Sequence, residues 1–235
     1  MRFQPFKVVI QLGSQLALNQ RLPLSLESLL TYAVAGPSHR GTDLIPLPFM
    51  KETNGSYHAS QMVAVVNTRD CFGQQLYVRQ SSNADYRTSG EESHSKTGGP
   101  NQNRATGDYR DRLEYLTVLN AEQLIFYGCG DIGEARKYLK IFKTTGLGTR
   151  RNVGYGRVVS LTVTAIAKDL SLYDEQGNPA RFLPVAHWPE PPLVRKDELP
   201  ERPPYWSKNN LVMGYVPPMI PFKIIVQERI DDDEY

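Results

Sequence analysis

The sequence predicts an α+β protein whose core runs in the order βαββαβ. Three observations carry this prediction. A β-branched amino-terminal run gives way to a helix-like stretch. Two apolar runs joined by a short polar connection precede a second helix pattern. A glycine-rich turn then leads from that helix into a long β-branched strand.

The opening "FKVVIQLGSQLAL" (6–18) reads as a strand ending in a polar bend. "PLSLESLLTYAVAG" follows, with Ser25 as N-cap, Leu26, Leu29, Leu30 and Ala33 at helical spacing, and Gly36 and Pro37 as the stop. In 45–66 Pro46 and Pro48 favour an extended or turning path, and "QMVAVV" is a candidate strand. "RLEYLTVLN" and "EQLIFYGCG" read as two strands joined around Asn120 and Ala121. "DIGEARKYLKIFKTTG" reads as one helix, capped by Asp131, with Ile132, Ala135, Leu139 and Phe142 on its apolar face and Gly146 as its end. "RVVSLTVTAIA" is the strand beyond the turn. This order is ferredoxin-like (RRM-like).

Two segments fall outside that pattern. From Arg79 to about Arg110 there are almost no aliphatic residues, so little surface can be buried to offset the entropy of ordering. A flexible loop or protruding hairpin is expected. After residue 168, ten of the 17 prolines fall between Pro184 and Pro221, which excludes long helices. The expected organisation is therefore a ferredoxin-like unit over 1–168 with a thumb-like insert at about 79–110. A proline-rich, mostly β or irregular extension over 169–235 packs on it, anchored by Trp188 and Trp206 and ending in the strand "FKIIVQERI".

The 235 residues contain no apolar run as long as a membrane span, and the amino terminus lacks an export-signal pattern, so a soluble, cytoplasmic protein is expected. Cys71 and Cys129 form no CxxC pair, and His39, His94 and His187 show no ligand spacing. Neither a metal site nor any other cofactor is predicted. The net charge is only +2, yet Arg136, Lys137, Lys140, Lys143, Arg150, Arg151 and Arg157 fall within 136–157 with no acid among them. A polyanion site needs charge gathered locally rather than a high total.

The centre of that basic stretch is "GLGTRRNVGYGRV" (146–158). It fails the Walker pattern, and Arg151 stands where the dinucleotide pattern needs its third glycine. Both of those patterns open a helix, whereas this one closes a helix and opens a strand. What remains is a glycine turn carrying guanidinium groups beside Tyr155. Such groups pair with phosphate oxygens, glycines let a sugar-phosphate backbone approach, and a ring can stack on a base. Single-stranded RNA fits this combination. A plainer reading stays open: the glycines permit a tight helix-to-strand connection, the arginines are solvated and Tyr155 packs in the core.

A helix followed by this loop and a β-branched strand resembles the glycine-rich loop of the RAMP superfamily of CRISPR-associated proteins, whose common fold is a ferredoxin-like sheet. The segments "FKVVIQLGSQLALNQRLPLSLESLLTYAV", "YHASQM" and "PPYW…YVPPMIPF" are similar to the Cas five-type subunit of type IV CRISPR complexes. The resemblance implies a non-catalytic RNA-binding subunit that holds the 5′ handle of the crRNA and caps the backbone filament, with other effector subunits as partners. It places RNA contacts at Gly146, Gly148, Arg150, Arg151, Gly154, Tyr155, Gly156 and Arg157. Lys140 and Lys143 of the preceding helix, and His58 and Ser60 of the "YHASQM" segment, join them as candidates. In the insert and at its borders Arg79, Arg87, Lys96, Arg104, Arg110 and Arg112 are candidate contacts to guide RNA or the neighbouring subunit.

The alternative is a metal-independent endoribonuclease that processes the crRNA. Tyr57, His58 and Ser60, acting with Tyr155, would supply the acid and base. The residues alone leave His58 equally readable as a hydrogen-bonded structural histidine.

Overall fold

The computed structural model describes residues 3–18, 23–36, 45–67, 71–79, 112–193, 195–200, 211–217 and 222–224. The fold is α+β, with few helices and several antiparallel sheets.

The central sheet contains β1 (Gln4–Leu12), β5 (Val63–Val66), β8 (Gln123–Gly130), β9 (Val158–Ala165) and β13 (Phe222–Ile224) in the order β13-β5-β8-β1-β9. All pairs are antiparallel except β13 with β5. β1 alternates as a half-buried strand should, with Phe6, Val8 and Ile10 fully buried and Lys7, Val9 and Gln11 on the other face. Opposite the buried three stand Gly128, Phe126 and Leu124 of β8, which extend one apolar face.

Helix α1 (Leu26–Ala35) starts at Ser25 with the expected cap. Ser28 N–H donates to Ser25 Oγ at 3.1 Å, and Ser25 N–H donates to Ser28 Oγ at 3.3 Å. α1 packs on α2 (Ile132–Leu139) and on β8, while α2 and α3 (Phe142–Thr145) pack on β9. The single helix expected over 131–145 is thus two. Ile141 N–H reaches Tyr138 O and Lys143 N–H reaches Lys140 O, three-residue steps that tighten the helix between α2 and α3. Among the described residues no helix is long and apolar enough to cross a membrane.

The two strands expected over 112–130 do not share a sheet. β8 lies in the central sheet, but β7 (Arg112–Leu119) pairs with β2 (Leu16–Leu18) and β6 (Phe72–Arg79) in a second one. The link between them explains the division. Asn120 N–H donates to Cys71 O at 2.7 Å and Glu122 N–H to Val65 O at 2.9 Å, which hands the chain from one sheet to the other. The place beside β8 is taken by Val63–Val66, an uncharged run with three of its four residues buried. Likewise the opening strand is broken at Gly13 into β1 and β2.

Beyond β9, β10 (Leu183–Pro184), β11 (Lys196–Pro200) and β12 (Leu211–Tyr215) form a small sheet in the order β10-β12-β11. Its cluster of Leu172, Leu183 and Tyr215 is covered by Tyr173, Val185 and Trp188; Trp206 lies outside the described residues. Buried polar contacts tie this part to the rest. Arg181 forms a 2.8 Å ion pair with Glu27 of α1, and both are nearly inaccessible. The expected insert lies outside the described residues apart from Arg79, where its flanking strands end in register with Arg79 opposite Arg112.

Candidate nucleic-acid interface

The glycine-rich stretch closes on itself and then onto β2. Leu147 N–H donates to Gly156 O at 2.8 Å, so residues 147–156 form a compact loop with adjoining ends. Three further bonds fix the loop and the adjoining Arg157 to β2 and to the segment just before it. Thr149 N–H donates to Ala17 O at 2.9 Å, Gly156 N–H to Gln15 O at 2.8 Å, and Arg157 N–H to Ser14 Oγ at 2.9 Å. The glycine-rich turn is thus tethered.

Positive φ at Gly146, Gly148, Arg150, Gly154 and Gly156 gives the loop its path. At Gly148 and Gly156 space matters as well as φ. A Cβ on Gly148 would strike Ala17 O, and one on Gly156 would overlap Leu147 O. A Cβ on Gly154, at φ +98°, would meet nothing within 4 Å, and the residue is exposed. The glycines therefore serve two ends: two permit close backbone packing, and one leaves the loop's outer turn open.

Arg150 and Arg151 stand on that outer turn, where Arg151–Val153 form a single 3-10 turn. Arg151 is oriented from the side. Its guanidinium donates to Tyr32 Oη at 3.3 Å and lies over the Tyr32 ring at 5.0 Å, and that ring stacks on Phe142. Arg157, Lys140 and Lys143 are exposed beside the loop's base. Two other cations are engaged: Arg136 donates to Val163 O at 2.9 Å, and Lys137 pairs with Glu134 at 3.1 Å.

Tyr155 is half-buried against Ala17, Leu116 and Val118, and its hydroxyl donates to Gln75 of β6. Its ring links the loop to the second sheet, which matches the plainer reading of this residue. Gln75 in turn donates to Gln15 at 2.9 Å. Tyr32, Gln15, Ala17 and Gln75 all shape the loop. None carries a sequence signal, because each meets it only through the fold.

His58 and Ser60, expected at the RNA surface, lie in the interior. Ser60 is 1% exposed, donates to Gln61 O at 2.8 Å and accepts from Tyr127 N–H at 2.9 Å. His58 is 5% exposed, with Nδ1 2.7 Å from Asp169 Oδ2 and Nε2 2.8 Å from Thr53 Oγ1. The Tyr57 hydroxyl accepts from Leu47 N–H at 3.0 Å. Pro46 and Pro48 favour an extended or turning path through this segment. In the fold, an isolated bridge from Ala59 to Gly128 pulls it against β8.

The endoribonuclease constellation is also divided. Cys129, whose N–H donates to His58 O, pairs with Pro5, whereas Val158, next to the loop, pairs with Leu12. Those partners are seven residues apart on β1, about 23 Å at the usual strand rise. His58 and Tyr155 therefore sit toward opposite ends of the sheet.

Around His58 the fold assembles a polar cluster that sequence spacing did not predict: His58, Cys129 and Asp169 offer ligand atoms within 4.8 Å of one another. Asp169 also accepts from Ser171 N–H at 3.0 Å and Ser171 Oγ–H at 2.5 Å. Burial pushes the Asp169 carboxyl upward, but the bonds from His58 and Ser171 outweigh it and hold it at about 2. Burial, and then the nearby Asp169 charge, push the Cys129 thiol up.

Of the insert candidates, Arg87, Lys96, Arg104 and Arg110 lie outside the described residues, and only the backbone of Arg79 and Arg112 is described. Among curated proteins none matches the chain. A family model does: residues 4–217 match the one described as CRISPR type IV associated protein Csf3. That span takes in the tethered loop, the second sheet, the central sheet apart from its edge strand β13, and most of the carboxy-terminal part, and by it the chain belongs to the Csf3 family of type IV CRISPR-associated proteins.

Proposed function

We propose that this protein is a non-catalytic RNA-binding subunit of a type IV CRISPR effector complex. It holds the 5′ handle of the crRNA and caps the backbone filament. The observation that carries the reading is the loop 147–156, a backbone cradle tied to β2 and bearing Arg150 and Arg151 on its outer turn, with Arg157, Lys140 and Lys143 exposed at its base. Guanidinium groups held in place by a rigid support lose little freedom when they pair with phosphate oxygens. An open, exposed glycine at position 154 leaves room for a sugar-phosphate chain to pass.

The sheet supports the same reading. With β1, β5, β8 and β9 taken as its four strands, the order is fourth-first-third-second, all antiparallel, with α1 after the first strand and α2 after the third. We read this as a ferredoxin-like unit in which β13 is an added edge strand, and the loop as its connection into the fourth strand. The fitting experiment is direct binding of labelled RNA carrying the repeat-derived handle, titrated over salt. Micromolar or tighter affinity that falls steeply with salt, and weakens on Arg150→Ala with Arg151→Ala, is expected. Wild-type affinity in the double variant, or no RNA recovered with the assembled complex, overturns the reading.

A further inference from the structure

Far from the loop, the cluster at the other end of β1 has the composition of a metal centre. We propose that His58, Cys129 and Asp169 bind a thiophilic divalent cation, zinc being the best fit. The three ligands come from three separate parts of the chain: the segment after the β3–β4 hairpin (Glu52–Thr53, Ser56–Tyr57), strand β8, and the turn after β9. The backbone fixes two of them relative to each other, because Cys129 N–H donates to His58 O at 2.9 Å. His58 and Cys129 are 5% and 4% exposed, while the Asp169 side chain is 27% exposed and opens one side of the site to solvent.

The donor set is one imidazole, one thiol and one carboxylate, a combination zinc takes with a fourth position left for water. As thiolate and carboxylate, the last two neutralise a divalent ion. The surroundings are arranged as an outer shell would be. Thr53 Oγ1, 2.8 Å from Nε2, is placed to accept the ring proton in the metal-bound state, which frees the Nδ1 lone pair for the cation. Ser171 binds Asp169 Oδ1 through both its N–H and its hydroxyl, which turns Oδ2 toward His58.

Spacing is the demanding point. Tetrahedral zinc ligands stand roughly 3.3–3.7 Å apart, given metal–ligand lengths of about 2.0–2.3 Å. Nδ1 and Oδ2 are 2.7 Å apart, the separation of two atoms bridged by a proton. A cation in the proton's place parts them by about 0.6–1.0 Å, a movement the partly exposed Asp169 side chain can make. Binding releases the Cys129 thiol proton to solvent, and the proton that bridges Nδ1 and Oδ2 gives way to the cation, the neutral imidazole then carrying its single proton on Nε2.

The test uses the full chain, freed of metal by a chelator that is then removed. Cobalt(II) should produce a thiolate-to-metal charge-transfer band saturating at one equivalent, and zinc should raise the Tm and displace the cobalt. Cys129→Ser should abolish the band and Cys71→Ser should keep it. A wild type with no such band and no zinc-dependent rise in Tm overturns the proposal, as does a band that survives Cys129→Ser. The wild-type titration decides even if Cys129→Ser fails to fold. RNA binding is not the readout, so the result is independent of the proposed function.

Discussion

Arg151 and Tyr32 form one unit, with the guanidinium 5.0 Å above the ring and donating to its hydroxyl at 3.3 Å. The contact joins the outer turn of the loop to α1. It separates two effects that are usually entangled: whether a cation meets a phosphate, and how well that cation is held beforehand.

Arg151→Ala removes a phosphate contact in the proposed complex, so the slope of log affinity against log salt should shrink by about 1. Tyr32→Phe keeps the charge and the ring but loses the hydrogen bond, worth about 0.5–1.5 kcal/mol. Affinity should fall several-fold with the salt slope unchanged. Filter-binding titrations at four or five salt concentrations distinguish these outcomes, and an unchanged slope in Arg151→Ala would count against the phosphate contact.

The loop's glycines should differ sharply in cost. Gly156→Ala forces a side chain into left-handed backbone at φ +64° and drives its Cβ into Leu147 O. A loss of about 3 kcal/mol is expected. Gly154→Ala meets nothing within 4 Å, so it bears the backbone penalty alone, about 1 kcal/mol. Urea unfolding of the two variants measures the difference. Equal losses would mean that the loop is not tethered as described.

This difference marks how far the sequence is legible. The loop's position between a helix and a strand, its charge, and the cap at Ser25 were readable because each depends on neighbours in the chain. The division of labour among its glycines was not, since Ala17, Gln15 and Gln75 approach only after the sheets form. The same holds for β7 and β8, two similar apolar runs that part into different sheets. Periodicity tells a strand from a helix, but it does not choose the strand's partner. Most plainly, His58 and Asp169 are 111 residues apart and meet at 2.7 Å, a pairing no local pattern records.

The Arg181–Glu27 pair fastens the carboxy-terminal part to α1 from a nearly inaccessible position, beside a cavity also lined by Ser25, Gln61 and Leu199. Removing one partner leaves a buried charge without its counter-ion. Arg181→Met should therefore cost about 3–5 kcal/mol, whereas combining it with Glu27→Gln should recover much of that loss. Denaturant midpoints for the two single variants and the double variant complete the cycle. Additive losses would show that the two side chains do not act as a pair.

The interior position of His58 gives the last prediction, which concerns what should not change. His58→Gln leaves the Asp169 carboxylate without its imidazole partner in a half-buried site, so stability should drop by about 2–4 kcal/mol. Handle-RNA affinity, measured below the variant's unfolding temperature, should stay within twofold of wild type, because the imidazole lies toward the far end of β1 from the loop. No labelled repeat RNA should be cleaved by either protein in EDTA. Both His58 nitrogens already face internal partners, Asp169 and Thr53, and nothing in that arrangement presents the ring to a ribose 2′-hydroxyl. Cleavage by the wild type that disappears in His58→Gln would reverse this assignment and restore the histidine as an acid or base.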